Sequence, residues 1–130
     1  MSLAELYTKD YFENQGGSNY TEYIDWPFFK ERAEWIVKTY NPKSVLELGC
    51  AKGFMIDHLL DLGVDAHGIE ISEYAYSQAK NKAKIRNLDF TEEFWTFDLY
   101  GQTIVSFDVL EHLPVDKVDI VVRQLASPDI

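Results

Sequence analysis

The sequence predicts an α/β protein with a doubly wound parallel sheet. Short apolar segments that suit buried strands alternate with segments whose apolar residues recur at helical spacing, an order typical of a parallel sheet covered on both faces. The first predicted strand leads into a glycine-containing turn, "ELGCAKG", at the end of the sheet where such folds bind ligands. With 130 residues and 46% hydrophobic content, the chain is long enough to form one core.

The first 40 residues are predicted to form an aromatic and helical arm, followed by the sheet-forming residues 41–130. The polar stretch 1–24 contains a "GGSN" turn, and the next segment, "DWPFFKERAEWIVKTY", has one apolar helical face with Pro27 in its first turn. "NPK" ends this helix because the residue before a proline avoids helical geometry. The apolar face consists of Phe29, Ala33, Ile36, Val37 and Tyr40. Arm and sheet are expected to act as one functional domain.

Four later segments are predicted strands because they are short, apolar and bounded by turn residues. In chain order they are "SVLEL", "VDAHGIE", "IRNLDF" and "TIVSF". The stretch "TEEFWTFDLYGQT", which leads into the last of them, fits a loop, a short helix or an irregular edge. The expected sheet therefore has about four strands.

Helices are predicted between these strands and after the last one. "FMIDHLLDLG" has helical spacing and ends at Gly63, a residue type common just past a helix. Ser72 is placed to cap the next helix, "EYAYSQAKNKAK". A helical "DVLEHL" follows the fourth strand, and after Pro114 a last helix is predicted near residues 116–125.

Charge and cysteine content exclude several classes of partner. Twelve basic residues against 22 acidic ones give a formal charge of −10, which repels nucleic-acid phosphates and anionic membranes. No apolar run approaches the roughly 20 residues that span a bilayer, and the start lacks the pattern of a signal peptide. Cys50 is the single cysteine, so no internal disulfide can form. We therefore expect a cytoplasmic protein whose ligands are small and neutral or cationic.

Three classes of ligand compete for the glycine-containing turn. A phosphate-binding P-loop needs a lysine after its second glycine, whereas Lys52 precedes Gly53. A dinucleotide-binding turn needs a third glycine where Phe54 stands, and Glu47 would face its pyrophosphate. S-adenosylmethionine (SAM) has no phosphate and carries a sulfonium and an ammonium group, which a carboxylate favours. Small residues at Gly49, Ala51 and Gly53 would let the backbone approach its aminoacyl end.

Acidic residues at the ends of the next two strands support the SAM interpretation. Glu70 ends the second strand, 21 residues after Gly49 (70 − 49), and is placed to accept hydrogen bonds from ribose hydroxyls. Asp89, near the end of the third strand, is predicted to accept from the adenine amine or to lie on a surface loop. Phe90 is predicted to pack on the adenine ring.

The segments "VLELGCAKG", "HGIEIS", "RNLDF" and "IVSFDVLEHLP" resemble class I SAM-dependent methyltransferases, most of all small-molecule methyltransferases of the quinone-biosynthesis type. The resemblance covers about residues 40–115 and departs from the family at Ala51, where glycine is common. It implies a Rossmann-like SAM-binding domain over residues 41–130, here with only part of the family's sheet of about seven strands. The resemblance also places Cys50, whose side chain is small, and Ile71 among the residues that contact the cofactor.

The implied activity is methyl transfer from SAM to a small-molecule acceptor, with S-adenosylhomocysteine (SAH) as the product. The alternative is a non-catalytic or degenerate domain that binds SAM or a nucleotide and acts with a partner.

The segment after the fourth strand supplies the candidate catalytic residue. Asp108, Glu111 and His112 have the spacing of one helical face, and His112 is the predicted general base. Some relatives hold a divalent metal with a similar turn, but we predict no metal here. As a further alternative, Glu111 and His112 could only cap the helix. The resemblance places Phe107 against the cofactor. His58 and His67 have no clustered partners in the sequence and are interpreted as structural.

Aromatic residues of the arm are predicted to cover the methyl donor as a lid or to pack on the sheet. They are Tyr20, Tyr23, Trp26 and Phe28, of which Tyr20 is the predicted cofactor contact.

The strand "TIVSF" is expected to leave an open sheet edge, because the family covers it with a further strand. An open edge invites pairing, so a second copy, another polypeptide or truncation would each account for it. We expect a homodimer through this edge.

Overall fold

A computed structural model describes residues 3–13, 23–92 and 102–126. Their strands form one sheet in the order β3-β2-β1-β4, in which every neighbouring pair is parallel. The strands are β1 (Ser44–Leu48), β2 (Asp65–Glu70), β3 (Ile85–Asn87) and β4 (Thr103–Ser106). The predicted α/β fold with about four parallel strands is therefore confirmed.

Helices flank the sheet. From residue 27 onward they lie where the sequence predicts them, except that one is shorter and the one over "DVLEHL" is absent, whereas the two short helices within residues 3–12 were not predicted. They are α1 (Leu3–Leu6), α2 (Lys9–Phe12), α3 (Pro27–Tyr40), α4 (Phe54–Asp61), α5 (Glu73–Ser77) and α6 (Val115–Leu125). Helix α3 begins at Pro27 and ends at Tyr40, and the next residue, Asn41, caps it with a left-handed backbone and an N–H bonded to the carbonyl oxygen of Val37. Gly63, with φ of +84°, follows α4 as predicted. None of the described helices is long and apolar enough to cross a bilayer.

Helix α5 is shorter than the sequence predicts. Ser72 caps it as expected, since its hydroxyl accepts a hydrogen bond from the N–H of Ala75, but the helix ends at Ser77 and only a 3₁₀ turn follows at Lys82–Lys84. The side-chain amide of Asn81 donates a hydrogen bond to Asp57 of α4 at 2.6 Å. Asparagine is a weak helix former, and this tertiary hydrogen bond stabilises it in a non-helical conformation.

The helix predicted over "DVLEHL" is wrong. Asp108 has φ of +56°, a left-handed conformation that starts no right-handed helix, and only a 3₁₀ turn at Leu110–His112 follows. Asp108, Glu111 and His112 therefore do not share a helical face.

The two faces of the sheet carry separate apolar layers, as a doubly wound fold requires. Val45 packs with α3 and α4 on one face, whereas Leu46 and Leu48 pack with Val121 of α6 on the other. Successive residues of β1 thus alternate between the layers. A third, smaller cluster joins Phe12 of α2 to the turn after β1 and to α5. It fixes the N-terminal segment, residues 3–13, beside the carboxyl ends of the strands.

Candidate active site

A pocket opens at the carboxyl ends of the parallel strands, where sequence reasoning places the ligand. Most of the predicted site residues line it. The turn after β1 and the end of β2 contribute Glu47, Gly49, Ala51, Glu70 and Ile71, and the later segments contribute Asp89, Phe90, Phe107 and His112. Gly53 and Cys50 do not line the pocket, and Tyr20 lies outside the described residues.

Three residues of the glycine-containing turn have left-handed backbone conformations. The φ angles are +75° at Gly49, +52° at Ala51 and +79° at Gly53. A Cβ atom at Gly49 would lie 2.4 Å from Val109, and one at Gly53 would lie 2.8 Å from Ile85. Gly53 therefore leaves room for packing against β3, and its predicted contact with the cofactor stays a prediction.

Cys50 packs inward instead of contacting the pocket. It is buried, and a Cβ atom at Gly68 of β2 would lie 2.6 Å from its sulfur. Burial raises the pKa of the thiol well above its usual value, so Cys50 is a small core residue. Gly68, which sequence reasoning passed over, has the recognisable signal of a glycine inside a strand, a mark of close approach by another segment.

Glu70 joins two backbone segments beneath the pocket. Its Oε1 accepts from the N–H of Ala51 at 2.7 Å, and its Oε2 accepts from the N–H of Ser72 at 2.8 Å. Burial raises the pKa of this carboxyl group, and the backbone hydrogen bonds oppose that rise. Each carboxylate oxygen can accept more than one hydrogen bond, so Glu70 retains capacity for a ligand hydroxyl.

Glu47 is the most unusual group in the pocket. Its side chain is buried, and its Oε1 has no hydrogen-bond partner among the described residues. Burial first, and then the negative charge of Glu70, raise its pKa to about 8, while Arg32 acts in the opposite direction. Leaving a buried polar atom unsatisfied costs stability. A ligand that carries a positively charged or N–H donor would satisfy this oxygen.

Asp89 organises its own turn at the border of the pocket. Its Oδ1 accepts from the N–H of Thr91 at 2.9 Å and from the hydroxyl of Thr91 at 2.6 Å. The next residue, Phe90, is buried with Leu48 and Ile69 in the layer that contains α6. Their contacts with adenine stay predictions.

Arg32 of α3 is a pocket residue that no sequence pattern indicated. Its Cζ lies 4.5 Å from the ring centroid of Phe28 and 4.6 Å from that of Phe107, and its guanidinium is 3.6 Å from the Asp108 carboxylate. Arginine is common on solvated helical faces, so only the fold reveals this role. Two rings and one carboxylate hold its positive charge at the wall of the pocket.

The N-terminal segment supplies an aromatic wall of the pocket. Tyr7, Tyr11 and Phe12 line the pocket together with Tyr23 and Trp26. Tyr7 and Tyr11 meet edge to face with centroids 5.0 Å apart. Burial, followed by the negative charges of Glu70 and Glu111, raises the pKa of Tyr7. Tyr23, Trp26 and Phe28, which sequence reasoning expected either as a lid or as packing on the sheet, thus border the pocket. Tyr7, Tyr11 and Phe12 were not singled out by sequence reasoning.

His112 borders the pocket with an exposed side chain. Its Nε2 lies 3.5 Å from Oε1 of Glu111. In residues 3–13, 23–92 and 102–126, no three His, Cys, Asp or Glu side chains are grouped so that they could hold a metal ion. His58 and His67, interpreted as structural, each lie beside one carboxylate, that of Asp25 at 2.9 Å and that of Asp65 at 3.0 Å.

With the fold and the pocket in place, comparison with known proteins identifies the family. The chain belongs to the family described as "Methyltransferase domain", whose model matches residues 20–128. The resemblance to class I SAM-dependent methyltransferases is thereby confirmed, while the closer likeness to quinone-biosynthesis enzymes stays a prediction. None of the curated proteins compared with the sequence matches it significantly.

A solved structure is similar over most of the chain. The CcbJ methyltransferase from Streptomyces caelestis superimposes with a TM-score of 0.57 at 26% identity, covering 82% of this chain and 49% of that one. The chain thus spans about half the length of the structure that it matches.

The residues present fit SAM, the methyl donor that the family implies. Oε1 of buried Glu47, which nothing in the described part of the chain hydrogen-bonds, suits a cationic group, and Glu70 can accept from hydroxyls. The left-handed turn at Gly49 and Ala51 exposes backbone to the same pocket.

Proposed function

We propose that the protein is a SAM-dependent methyltransferase that acts on a small-molecule acceptor. The observation that carries the proposal is a buried carboxyl oxygen of Glu47 in a pocket at the strand ends, which has no hydrogen-bond partner among the described residues. It calls for a cationic ligand at the position where phosphate-binding folds would place an anion. Membership of the methyltransferase domain family supports the same conclusion.

Separate residues would hold separate parts of SAM. Glu47 would receive the ammonium group, Glu70 the ribose hydroxyls, and Asp89 with Phe90 the adenine. Ile71 and Phe107, which line the pocket, would pack against the apolar parts. Bound SAM supplies an electrophilic methyl group on a sulfonium centre.

The protein's part in the reaction is to exclude water, align the reactants and move a proton. The aromatic walls contributed by Tyr11, Tyr23 and Phe28 would exclude water. Alignment of reactants can contribute roughly 7–11 kcal/mol. His112 would accept the proton of an acceptor hydroxyl or amine at Nε2, with Glu111 beside it to stabilise the resulting positive charge.

Charge limits the acceptor to neutral or cationic molecules. Besides Glu47, which its pKa of about 8 keeps largely protonated at neutral pH, the pocket is bordered by the carboxylates of Glu70, Asp89 and Asp108, and in the described chain Arg32 is its only arginine or lysine. The aromatic residues that line the pocket favour an acceptor with a flat or apolar body.

Calorimetry and thermal shift with SAM, SAH, NAD and ATP test the proposal. SAM and SAH should bind with micromolar affinity and stabilise the fold by about 2.7 kcal/mol at a hundred times the dissociation constant. A response to NAD or ATP with none to SAM or SAH would contradict the proposal.

Turnover separates the enzyme from a non-catalytic SAM-binding domain. With an acceptor found by screening, His112→Asn should lower kcat by about 10²- to 10⁴-fold while the Kd for SAH stays unchanged. Binding of SAH without turnover of any acceptor would favour the non-catalytic domain acting with a partner.

A further inference from the structure

Lys52, in the turn after β1, has no role in the function proposed above. Its side chain is only 10% exposed. The ammonium Nζ lies 3.3 Å from Oε1 of Glu13 and donates to the carbonyl oxygen of Tyr23 at 2.9 Å. Neither Lys52 nor Glu13 lines the pocket, so this buried cation is occupied with protein groups rather than with a ligand.

Tyr74 completes a cluster that joins three parts of the chain. Its hydroxyl donates to Oε1 of Glu13 at 2.8 Å, and the centroid of its ring lies 5.6 Å from Nζ of Lys52. The hydrogen bond from Tyr74, followed by the interactions with Lys52, lowers the pKa of Glu13. The N-terminal segment, the turn after β1 and α5 therefore meet at one ion pair.

The groups that this ion pair joins are direct neighbours of pocket residues. Phe12 precedes Glu13 and Ala51 precedes Lys52, and both line the pocket, as does Tyr23 itself. Phe12 and Ala51 also share one apolar cluster. Loss of the ion pair would leave a nearly buried ammonium without its carboxylate, which strongly favours a rearrangement that exposes it. Such a rearrangement would move the aromatic wall away from the turn.

We propose that Lys52 is a positioning residue for ligand binding. Through Glu13 and the Tyr23 carbonyl it holds the aromatic wall of the N-terminal segment against the turn after β1. It thereby sets ligand affinity without touching the ligand. The identity of the ligand used in the test, SAH, rests on the proposed function.

Calorimetry with SAH on Lys52→Met, Glu13→Gln and the double variant tests this role. Each single substitution should weaken SAH binding by about 3- to 30-fold, the range found for residues that act without contacting the ligand. The double variant should have the same affinity for SAH as the single variant that binds SAH more weakly, because both substitutions remove the same interaction. Lys30→Met is the matched control, since it breaks the exposed Lys30–Glu34 pair on α3 and should leave affinity unchanged.

Hydrogen exchange gives a readout that does not depend on ligand. In the wild-type protein the N–H groups of Tyr11 and Glu13 are bonded to Thr8 and Lys9. Residues 3–13 should exchange faster in Lys52→Met and Glu13→Gln than in the wild type or in Lys30→Met. Tyr74→Phe, which removes only the hydroxyl that donates to Glu13, replaces Lys52→Met in the comparison should that variant not fold.

The outcomes separate this inference from the function on which it rests. Failure of the wild-type protein to bind SAH overturns the proposed function and the inference together. Wild-type binding combined with unchanged affinity in the variants, or with fully additive losses in the double variant, overturns the inference alone. Unchanged exchange in residues 3–13 contradicts the positioning role in the same way.

Discussion

Glu70 fastens the turn after β1 to the end of β2, because its Oε1 accepts a hydrogen bond from the N–H of Ala51 at 2.7 Å. The other carboxylate oxygen accepts from Ser72, which caps α5. The same side chain borders the pocket. Sequence reasoning assigned it only to ribose hydroxyls, whereas the structure makes it a support of the turn as well.

Replacement of Glu70 should therefore affect both ligand binding and folding. Glu70→Ala should weaken SAH binding by roughly 1–3 kcal/mol and should also lower the free energy of unfolding, because two buried N–H groups lose their acceptor. Calorimetry and urea unfolding measure the two effects. Glu31→Ala on the exposed face of α3 is the control and should change neither. Unchanged SAH affinity in a folded Glu70→Ala protein would remove Glu70 from the ligand's contacts.

Local patterns in the sequence were sufficient to predict the sheet and the acids at its carboxyl edge. The alternation of strands with helices and the glycine spacing predicted the positions of Glu47, Gly49 and Glu70 in one pocket. Parallel strands bring their carboxyl ends to the same edge of the sheet, independent of the conformation of the loops.

The missed features depend on tertiary contacts. Arg32 reaches the pocket only because α3 packs beside Phe107, and Cys50 faces Gly68 only through the left-handed turn. The prediction of a helix at Asp108 was wrong for a similar reason, since the spacing of residues alone does not reveal a left-handed backbone conformation.

Ala51 offers a test of backbone strain in the turn. With φ of +52°, its Cβ atom costs roughly 1–2 kcal/mol. Ala51→Gly and Ala33→Gly in α3 both remove a buried methyl group and add freedom to the unfolded chain. Only Ala51→Gly also relieves the cost of the left-handed conformation. Ala51→Gly should therefore be less destabilising than Ala33→Gly by about 1–2 kcal/mol, measured by urea unfolding. Equal losses in the two variants would show that the turn is unstrained.

The edge of β4 leads us to expect a homodimer. In the described part of the chain β4 pairs only with β1, and an open strand edge tends to pair with another strand. Light scattering at micromolar concentration should give twice the chain mass of 15.1 kDa. Thr103→Lys, which places a charge on the edge, should shift the protein toward monomer, whereas Thr39→Lys on the exposed face of α3 should not. A wild-type monomer at every concentration would contradict the dimer.

The raised pKa of Glu47 makes folding stability depend on pH. The unfolded chain loses this proton near pH 4.5, but the folded protein keeps it to about pH 8. Between these values the unfolded state binds fewer protons, so the contribution of Glu47 falls as pH rises, by up to about 1.4 kcal/mol per pH unit. Glu47→Gln removes the titration, and its stability relative to wild type should increase from pH 5 to pH 8 in urea unfolding. A difference that stays constant with pH would show that folding does not change the pKa of Glu47.

The same carboxyl group should release a proton when the ligand binds. Near pH 6 free Glu47 is protonated, since its pKa is about 8, and the amino group of SAH is charged, since an ammonium group next to a carboxylate titrates above the range of about 7.7–8.0 found for a chain's N-terminus. Pairing of carboxylate with ammonium then expels close to one proton per ligand, so affinity should rise from pH 6 to pH 8 and level off above it until the ligand loses its own charge. Calorimetry in buffers of different ionisation enthalpy measures the release.

Two controls assign that proton to Glu47. Glu47→Gln should bind SAH without releasing a proton at pH 6, because the amide does not titrate. 5′-Methylthioadenosine, which lacks the amino acid part of SAH, should release none from the wild-type protein, because no ammonium group draws the proton from the carboxyl. Heats of SAH binding that do not vary with the buffer at pH 6 would mean that Glu47 stays protonated in the complex and that the ammonium group binds elsewhere.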